Sequence, residues 1–357
     1  MLKIEKRPES SRAMMYATPV LALVLTILSS LVLFTLLGVD PLEALDNFFI
    51  EPLKDAYGVS ELLVKATPLV LCAIGLSIGF RANVWNIGAE GQLTMGAIFG
   101  GGVFIYLHDV DSVFLLPAMV IMGAIGGALW AAIPAFFKTR FNANEILTSL
   151  MLVYVALLIL SLLVHGSWRD PDGYNFPESR VFSESATMPI LWEGTRLHFG
   201  SILALFAVAG AWIMFSKTLI GFQVKVIGEA PKAGAYAGFS QKKIIWFCLL
   251  TGGGLAGVAG VTEVAGPVGQ LLPSISPGYG FTAIIVAFLG RLHPVGIIFA
   301  GLLMALTYLG GETAQINQGL PVAVTGVFQG MVLFYLLATD VLVNYRFRFH
   351  AFGKATS

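Results

Sequence analysis

The sequence has few charged residues for its length. Only 12% of its 357 residues are Asp, Glu, Lys or Arg, about half the fraction that is typical of soluble domains. Acidic and basic residues are equal in number, so the formal net charge is zero, which argues against a nucleic-acid partner. The composition therefore argues against a soluble globular domain and against a nucleic-acid-binding one.

Cysteines and catalytic motifs are equally scarce. The two cysteines, Cys72 and Cys248, lie inside apolar runs, which disfavours a disulfide, and a metal site would need more ligands. The five histidines are scattered without metal-ligand spacing, and no Ser–His–Asp order is recognisable. The phosphate-loop motif G-x-x-x-x-G-K-[ST] is absent from the sequence. We therefore expect no catalytic residues, no metal, no cofactor and no ATPase site in the chain itself, which predicts that it is not an enzyme.

Long apolar runs dominate the sequence, in which 57% of the residues are hydrophobic. A helix that crosses the hydrocarbon core of a bilayer needs about 20 mostly apolar residues. Ten runs approach this length: 17–38, 62–80, 92–107, 113–134, 145–165, 199–216, 244–264, 280–290, 295–310 and 321–340. The pattern predicts an all-α polytopic membrane protein with about ten transmembrane helices, although nine or eleven fit nearly as well. The shortest run, 280–290, is the candidate for a half-helix or a re-entrant segment.

Positively charged residues orient such a chain, because they are enriched in cytoplasmic segments. The N-terminal tail carries four of them, whereas segment 39–60 is mainly acidic. The charges predict a cytoplasmic tail at 1–16, a transmembrane domain at 17–341 and a cytoplasmic tail at 342–357. They also place the loop 166–198 outside and the loop 217–243, with its five lysines, inside.

Three segments interrupt the regular pattern of apolar helices. The first, 80–92, places two Asn, one Gln, two Gly and a charge pair between two spans without a normal polar loop. Irregular backbone at membrane depth is tolerated only where protein or a wet cavity surrounds it. The segment is therefore either an element that lines or gates a pathway, or a structural turn. In the second case Arg81 would pair with Glu90, and Asn86 would satisfy the freed backbone groups.

The second segment, 221–241, lies on the predicted cytoplasmic side. Its residues 229–238 indicate a short helix with small residues on one side, and Pro231 fits the first turn of such a helix. The segment is either a docking element for a partner or a plain connector.

The third segment, 263–291, contains Pro267, Pro273 and Pro277 among several glycines, which forbids a continuous helix. Pro277 and the residues after it could open a half-helix whose free N–H groups would face an anionic or hydroxylated ligand. The alternative is an ordinary external loop.

Ionisable residues inside spans are candidates for function. Glu145, Glu263, Arg291 and Glu312 qualify loosely, since each lies near the end of a span. Glycines are frequent within the spans, for example at 252–254, 257 and 260, and we expect them to let helices pack closely.

The sequence resembles the membrane permease subunit of bacterial ATP-binding-cassette (ABC) importers, in the ribose and branched-chain amino-acid permease superfamily. Within it, the chain is most similar to the nucleoside-type permeases that work with a basic-membrane-protein-like lipoprotein. The likeness spans roughly residues 60–340. It is carried by FRANVWNIGAEGQLTMGA (80–97), NEILTSLMLVYVA (144–156), GEAPKAGAYAGFS (228–240) and SPGYGFTAIIVAFLGRLHPVGI (276–297).

The resemblance implies a type II importer fold in the bacterial cytoplasmic (inner) membrane. It implies cytoplasmic ABC ATPase subunits, a second permease that is a different but related chain, and a periplasmic or lipoprotein substrate-binding protein as partners. It also implies a coupling element that docks on the ATPase, for which the candidates are Gly228, Glu229, Ala230, Pro231, Ala237 and Gly238. The candidates for the solute pathway are Asn83, Asn86, Glu90, Gln92, Glu263 and Tyr279.

The function that follows from the resemblance is that of a permease subunit of an ATP-driven importer for nucleosides or related purine or sugar compounds. A permease for simple sugars of the ribose type, or for another small polar solute, is the alternative. A secondary transporter that needs no ATPase is more distant, because it would need ion-coupling carboxylates and mid-span Asp or Glu are almost absent. A membrane-embedded enzyme would need a convergent catalytic set, and none is visible.

Overall fold

A computed structural model describes residues 2–6 and 11–349, and most of these residues are helical. The helices are α1 (Arg12–Leu36), α2 (Pro41–Phe49), α3 (Ala56–Arg81), α4 (Ala89–Tyr106), α5 (Leu115–Phe141), α6 (Glu145–His165), α7 (Gly200–Lys217), α8 (Leu219–Glu229), α9 (Pro231–Tyr236), α10 (Gln241–Glu263), α11 (Tyr279–Leu289), α12 (Pro294–Gln318) and α13 (Ala323–Asn344). Two 3-10 turns lie at Glu51–Leu53 and Glu184–Ala186, and a π-helical turn at Val264–Val268 follows α10.

Two short strands, β1 (Leu2–Lys6) and β2 (Tyr345–Phe349), pair antiparallel near the two ends of the chain, with Leu2 opposite Phe349. This pairing was not predicted from the sequence. Of the basic residues used to orient the chain, Arg7 and Lys354 lie outside the described residues.

Eight helices of the described chain are long and apolar enough to cross a membrane. They account for eight of the ten apolar runs, and the other two runs fall on α4 and α11. The latter has 11 residues, which gives a length of about 16 Å, roughly half the thickness of the hydrocarbon core. The all-α polytopic fold class is confirmed, and the run 280–290 is the short helix that its length predicted.

The corner between α5 and α6 shows how local chemistry ends one helix and begins the next. Asn142 adopts the left-handed conformation (φ 53°) at the end of α5, a conformation that Asn tolerates better than most residues. Asn144 then accepts hydrogen bonds from the N–H groups of Ile146 and Leu147 and so caps α6. An ion pair of 2.9 Å between Lys138 near the end of α5 and Glu145 at the start of α6 connects the two helices.

Glycines allow α10 to pack directly against the backbones of α3, α4 and α5. A Cβ atom built on Gly75 of α3 would lie 2.9 Å from the Cα of Gly252 on α10, and one on Gly96 of α4 would overlap the backbone of Gly257. Close backbone approach of this type is how helices associate where no water is available to drive them together. The expectation that these glycines serve packing is confirmed.

The contacts divide the chain into two compact units, residues 53–306 and residues 1–52 with 307–357. The unit formed by residues 1–52 and 307–357 contains an aromatic cluster. The ring centroid of Phe48 lies 5.7 Å from that of Phe34 and 5.7 Å from that of Phe328. Asn317 donates a hydrogen bond of 2.7 Å to the side chain of Asn47 in the same unit. All of the predicted site residues lie in the unit 53–306.

Candidate solute pathway and coupling segment

The chain reverses direction immediately after α3. Asn83 adopts the left-handed conformation (φ 56°), and the N–H of Val84 returns to the carbonyl of Gly79 at 2.9 Å. The side chain of Asn83 accepts a hydrogen bond of 2.9 Å from the indole of Trp85. This predicted pathway residue therefore shapes the turn that breaks the helix.

The side chains of Asn86 and Gln92 bind each other within the protein. Asn86 donates to Gln92 at 2.8 Å and accepts from it at 3.0 Å. The Asn86 oxygen also accepts a bond of 3.0 Å from the N–H of Gly88, and both side chains are buried. The prediction that Asn86 satisfies freed backbone groups is confirmed.

The starts of α4 and α11 meet at the carboxylate of Glu90. The N–H of Gly280 donates to Glu90 at 2.6 Å, and Ser276 and Gly278 lie close to the same carboxylate. A helix start favours a carboxylate because its N–H groups are unpaired and its dipole is positive. The hydroxyl oxygen of Ser276 in turn accepts from the N–H groups of Gly278 and Tyr279.

The N–H groups at the start of α11 are consequently occupied by the chain itself. The expectation that they would be free for an external ligand is wrong, because Ser276 and Glu90 supply the acceptors. Gly280 permits the close approach, since a Cβ atom there would lie 2.5 Å from the Cα of Glu90.

The pair predicted between Arg81 and Glu90 is not formed among the described residues. The Nε of Arg81 donates to the carbonyl of Leu292 at 3.0 Å, and its guanidinium lies 4.0 Å from the ring centroid of Phe215 on α7. The backbone of Arg81 also packs against Gly228 of α8, where a Cβ atom would overlap its carbonyl oxygen. Arg81 therefore joins the end of α3 to the segment predicted to couple to a partner.

The predicted coupling segment forms two short helices on the surface of this unit. Val224 and Ile227 bury one side of α8, and Pro231 occupies the first turn of α9, as predicted. Gly228 is partly buried, whereas the other five candidates are exposed: Glu229, Ala230, Pro231, Ala237 and Gly238. Tyr236 at the end of α9 is 94% exposed. The segment thus presents backbone, small residues, one aromatic ring and the charged side chains of Glu229 and Lys232 to its surroundings.

Glu263 and Tyr279 are both buried at helix ends, Glu263 as the last residue of α10 and Tyr279 as the first residue of α11. The carboxyl group of Glu263 is within electrostatic range of two cations, Lys65 and Arg196, and of the carboxylates of Glu61 and Glu90. A group of ionisable side chains thus lies within electrostatic range of the last residue of α10.

Most of this group, namely Glu61, Lys65 and Arg196, was not predicted from the sequence. Glu61 and Lys65 lie four residues apart on α3, a spacing that places them on one face of the helix. Arg196 binds Glu61 through two nitrogens, with Nε 2.9 Å from Oε1. This hydrogen bond raises the pKa of Arg196 above its ordinary value, although burial opposes the shift. The i, i+4 charges at the start of an apolar run were the signal that could have identified Glu61 and Lys65.

His198 lies two residues before the start of α7 and is 2% exposed. Burial lowers its pKa to about 4, against a smaller opposing effect of Glu61, so the imidazole is neutral at pH 7. Its Nδ1 lies 3.1 Å from the N–H of Gly200 and accepts that hydrogen. A neutral imidazole has one N–H and one bare nitrogen, so the proton resides on Nε2.

A cavity of about 600 Å³ opens beside this histidine. Its walls come from the loop before α7 and from the π-helical turn after α10. The lining residues are Glu184, Thr187, Met188, Pro189, Ile190, Arg196, His198, Gly266 and Pro267. The cavity and the predicted coupling segment lie at opposite ends of α7, which is 18 residues long.

The chain is similar to known transport proteins over most of its length. Residues 58–337 match the family described as branched-chain amino acid transport system permease components. The glucose ABC transporter permease protein TsgB13 of Haloferax volcanii is 36% identical, over 97% of this chain and 93% of that protein. The nucleoside ABC transporter permease protein NupB of Lactococcus lactis is 28% identical, over 91% of each chain. The guanosine ABC transporter permease protein NupP of Bacillus subtilis is also 28% identical, over 90% of this chain and 92% of that one.

Proposed function

Because this chain belongs to the family of branched-chain amino acid transport system permease components, we propose that it carries a sugar or a nucleoside through an ATP-driven importer. The chain is an ABC transporter permease subunit, and the predicted resemblance is confirmed. The substrate and the direction of transport are the parts that we propose.

The observation that carries the substrate proposal is what the three relatives have in common. One is named for glucose and two for nucleosides, and each of these solutes contains a sugar ring. The alignments cover at least 90% of this chain in all three cases. A nucleoside is the favoured solute, and a simple sugar is the alternative that the 36% identical glucose permease supports.

ATP hydrolysis in this proposal takes place in cytoplasmic ABC ATPase subunits, which dock on the segment 228–238. The exposure of five of its six candidate residues supports this role, as does the exposed ring of Tyr236. The contact between Gly228 and the backbone of Arg81 offers a mechanical connection from the docking segment to the broken helix after α3. A partner can switch the permease only if it binds two states of the bundle with different affinity.

The solute path in this proposal runs beside the broken segments, in a complex with a second permease and an external binding protein. Asn83, Asn86, Glu90, Gln92, Glu263 and Tyr279 remain the candidates for its lining. Glu90 and Glu263 are supported by their place at the breaks between α3 and α4 and between α10 and α11, where unwound backbone accompanies transport sites in other membrane proteins. We place both tails and the segment 228–238 on the cytoplasmic side of the cytoplasmic membrane.

Uptake of labelled solute tests the proposal. Cells with and without the chain, each expressing the partner subunits, are given labelled guanosine or labelled glucose, with ribose, guanine and leucine as competitors. We expect uptake of one labelled solute to depend on the chain and to resist competition by leucine. If neither solute is taken up faster when the chain is present, the proposed substrate class is wrong.

A further inference from the structure

We propose that the cavity beside His198 is a solute-binding vestibule on the permease itself, and that it takes the sugar ring of a hexose or of a nucleoside. This inference rests on the proposed function, since it assumes that the transported solute contains such a ring.

The walls of the cavity are held together by the backbone. The N–H of Met188 donates to the carbonyl of Ala265 at 2.6 Å, and the N–H of Phe182 donates to the carbonyl of Gly269 at 2.8 Å. These bonds connect the loop before α7 to the turn after α10. The cavity is therefore part of the folded unit, and its volume falls within the range of about 300–1,000 Å³ that is usual for small-molecule sites.

His198 supplies a hydrogen-bond donor whose partner is missing from the described part of the chain. Its Nδ1 is occupied by the N–H of Gly200, which leaves the proton on Nε2. Gly266 keeps the space next to this atom open, because a Cβ atom there would lie 2.7 Å from Nε2. The imidazole is 2% exposed and yet lines the cavity. A donor on the cavity wall favours a ligand with an acceptor oxygen, since a ligand that covered it without accepting its hydrogen would leave it unpaired at a cost in free energy.

Glu184 and Arg196 supply the complementary groups. Glu184 is exposed, and its carboxylate has no hydrogen-bond or ion-pair partner among the residues that the structure describes. A carboxylate accepts hydrogen bonds only, so it suits the hydroxyl groups of a sugar. The guanidinium of Arg196, which is held in place by Glu61, presents donors only.

Apolar groups complete the site. Met188, Pro189, Ile190 and Pro267 form the rest of the wall together with Thr187 and Gly266. A sugar ring has hydroxyl groups at its rim and C–H groups on its faces, so it needs donors, acceptors and an apolar surface at once. A free nucleobase or an aliphatic amino acid does not present this combination of vicinal hydroxyls and C–H faces.

Cysteine protection tests the vestibule without relying on transport. Both native cysteines are buried in this chain, so a membrane-impermeant maleimide is expected to label only an introduced thiol. Ile190→Cys places that thiol on the cavity wall, and Tyr174→Cys, at a residue that is 93% exposed outside the cavity lining, is the control. Both variants are measured in the complete transporter, with glucose, guanosine, guanine and leucine added separately at millimolar concentration.

We expect glucose or guanosine to slow labelling of the Ile190→Cys variant, whereas guanine and leucine leave it unchanged and the Tyr174→Cys variant responds to none of them. Glu184→Gln in the Ile190→Cys background should raise the concentration needed for protection about tenfold, equivalent to about 1.4 kcal/mol. Glu193→Gln, an exposed carboxylate of the same loop outside the cavity, should not change it.

Normal uptake of a labelled sugar or nucleoside without any protection of the Ile190→Cys variant would overturn the vestibule and leave the proposed function standing. Equal protection in the Glu184→Gln and Glu193→Gln backgrounds would overturn the role of Glu184. Protection by the solute-free binding protein alone would assign the cavity to protein docking instead. If the complete transporter took up neither glucose nor guanosine, the proposed function itself would be refuted.

Discussion

Replacing Gly280 by alanine should disrupt the meeting point of α4 and α11. The added Cβ atom would lie 2.5 Å from the Cα of Glu90, whereas nonbonded carbon atoms prefer about 3.5–4.0 Å. The start of α11 must therefore move by about 1 Å to reach ordinary contact. That shift would stretch the hydrogen bond between the N–H of Gly280 and Glu90, now 2.6 Å, beyond the usual range of such bonds.

Two costs contribute to the expected loss of stability. Overpacking of a close contact costs about 1–3 kcal/mol, and leaving a buried hydrogen-bonding group without its partner costs about 1–3 kcal/mol. Because the two overlap, we expect a loss of about 3 kcal/mol for Gly280→Ala. At about 2.1 cal/mol/K per residue, the unfolding entropy of a chain of 357 residues is about 0.75 kcal/mol/K. A loss of about 3 kcal/mol should therefore lower Tm by about 4 °C.

Thermal unfolding of the purified protein in detergent, followed by the loss of the monodisperse species, measures this difference. Gly210→Ala on α7 is the matched control, because a Cβ atom at Gly210 would meet nothing within 4 Å. Alanine at such a helical position should leave Tm unchanged or raise it slightly. Equal Tm values for Gly280→Ala and Gly210→Ala would refute the close contact between α11 and Glu90.

Three further predictions concern the loops at the two ends of α7. Glu229→Lys changes an exposed residue and should abolish ATP-dependent uptake without changing Tm. The control variant Glu193→Lys should leave uptake intact. Equal uptake by both variants would contradict the coupling role of Glu229. Arg196→Met removes the guanidinium that binds the buried carboxylate of Glu61, so it should lower the free energy of unfolding by about 1–3 kcal/mol. Adding Glu61→Gln to this variant should restore part of the loss. An unchanged Tm in the Arg196→Met variant would contradict this prediction. Burial lowers the pKa of His198 to about 4, below the value of about 6.5 for an unfolded chain. The stability that depends on neutral His198 should therefore be fully present above pH 6.5 and be lost as the pH drops from 6.5 towards 4. His198→Gln should flatten this slope in pH-dependent melting, and an identical slope would exclude His198 as its cause.

Features that depend on residues close in the chain were predictable from the sequence. The hydrogen bond that the N–H of Gly88 donates to the side chain of Asn86 spans two residues, and Pro231 begins α9 for a reason that is local to the first helical turn. The short helix α11 followed from the prolines and glycines before it and from the length of its apolar run. In each case local backbone chemistry leaves few alternatives.

Features that depend on how distant segments approach each other were not predictable. The interpretation of segment 80–92 as a structural turn paired Arg81 with Glu90, but Arg81 finds its partners on α7 and after α11. Arg196 and Glu61 are 135 positions apart, and no local pattern connects them. The same holds for the pairing of β1 with β2. The cavity beside His198 arises where two such distant segments meet.

The dependence of uptake on ATP hydrolysis tests the central claim most directly. Proteoliposomes containing this chain, its partner permease, the ATPase subunits and the binding protein are loaded with ATP, and the entry of labelled guanosine and glucose is measured. The account predicts that one of these solutes accumulates, and that accumulation ceases when the ATPase subunits carry a substitution that abolishes hydrolysis. Accumulation at an undiminished rate without hydrolysis, driven by an ion gradient, would contradict it.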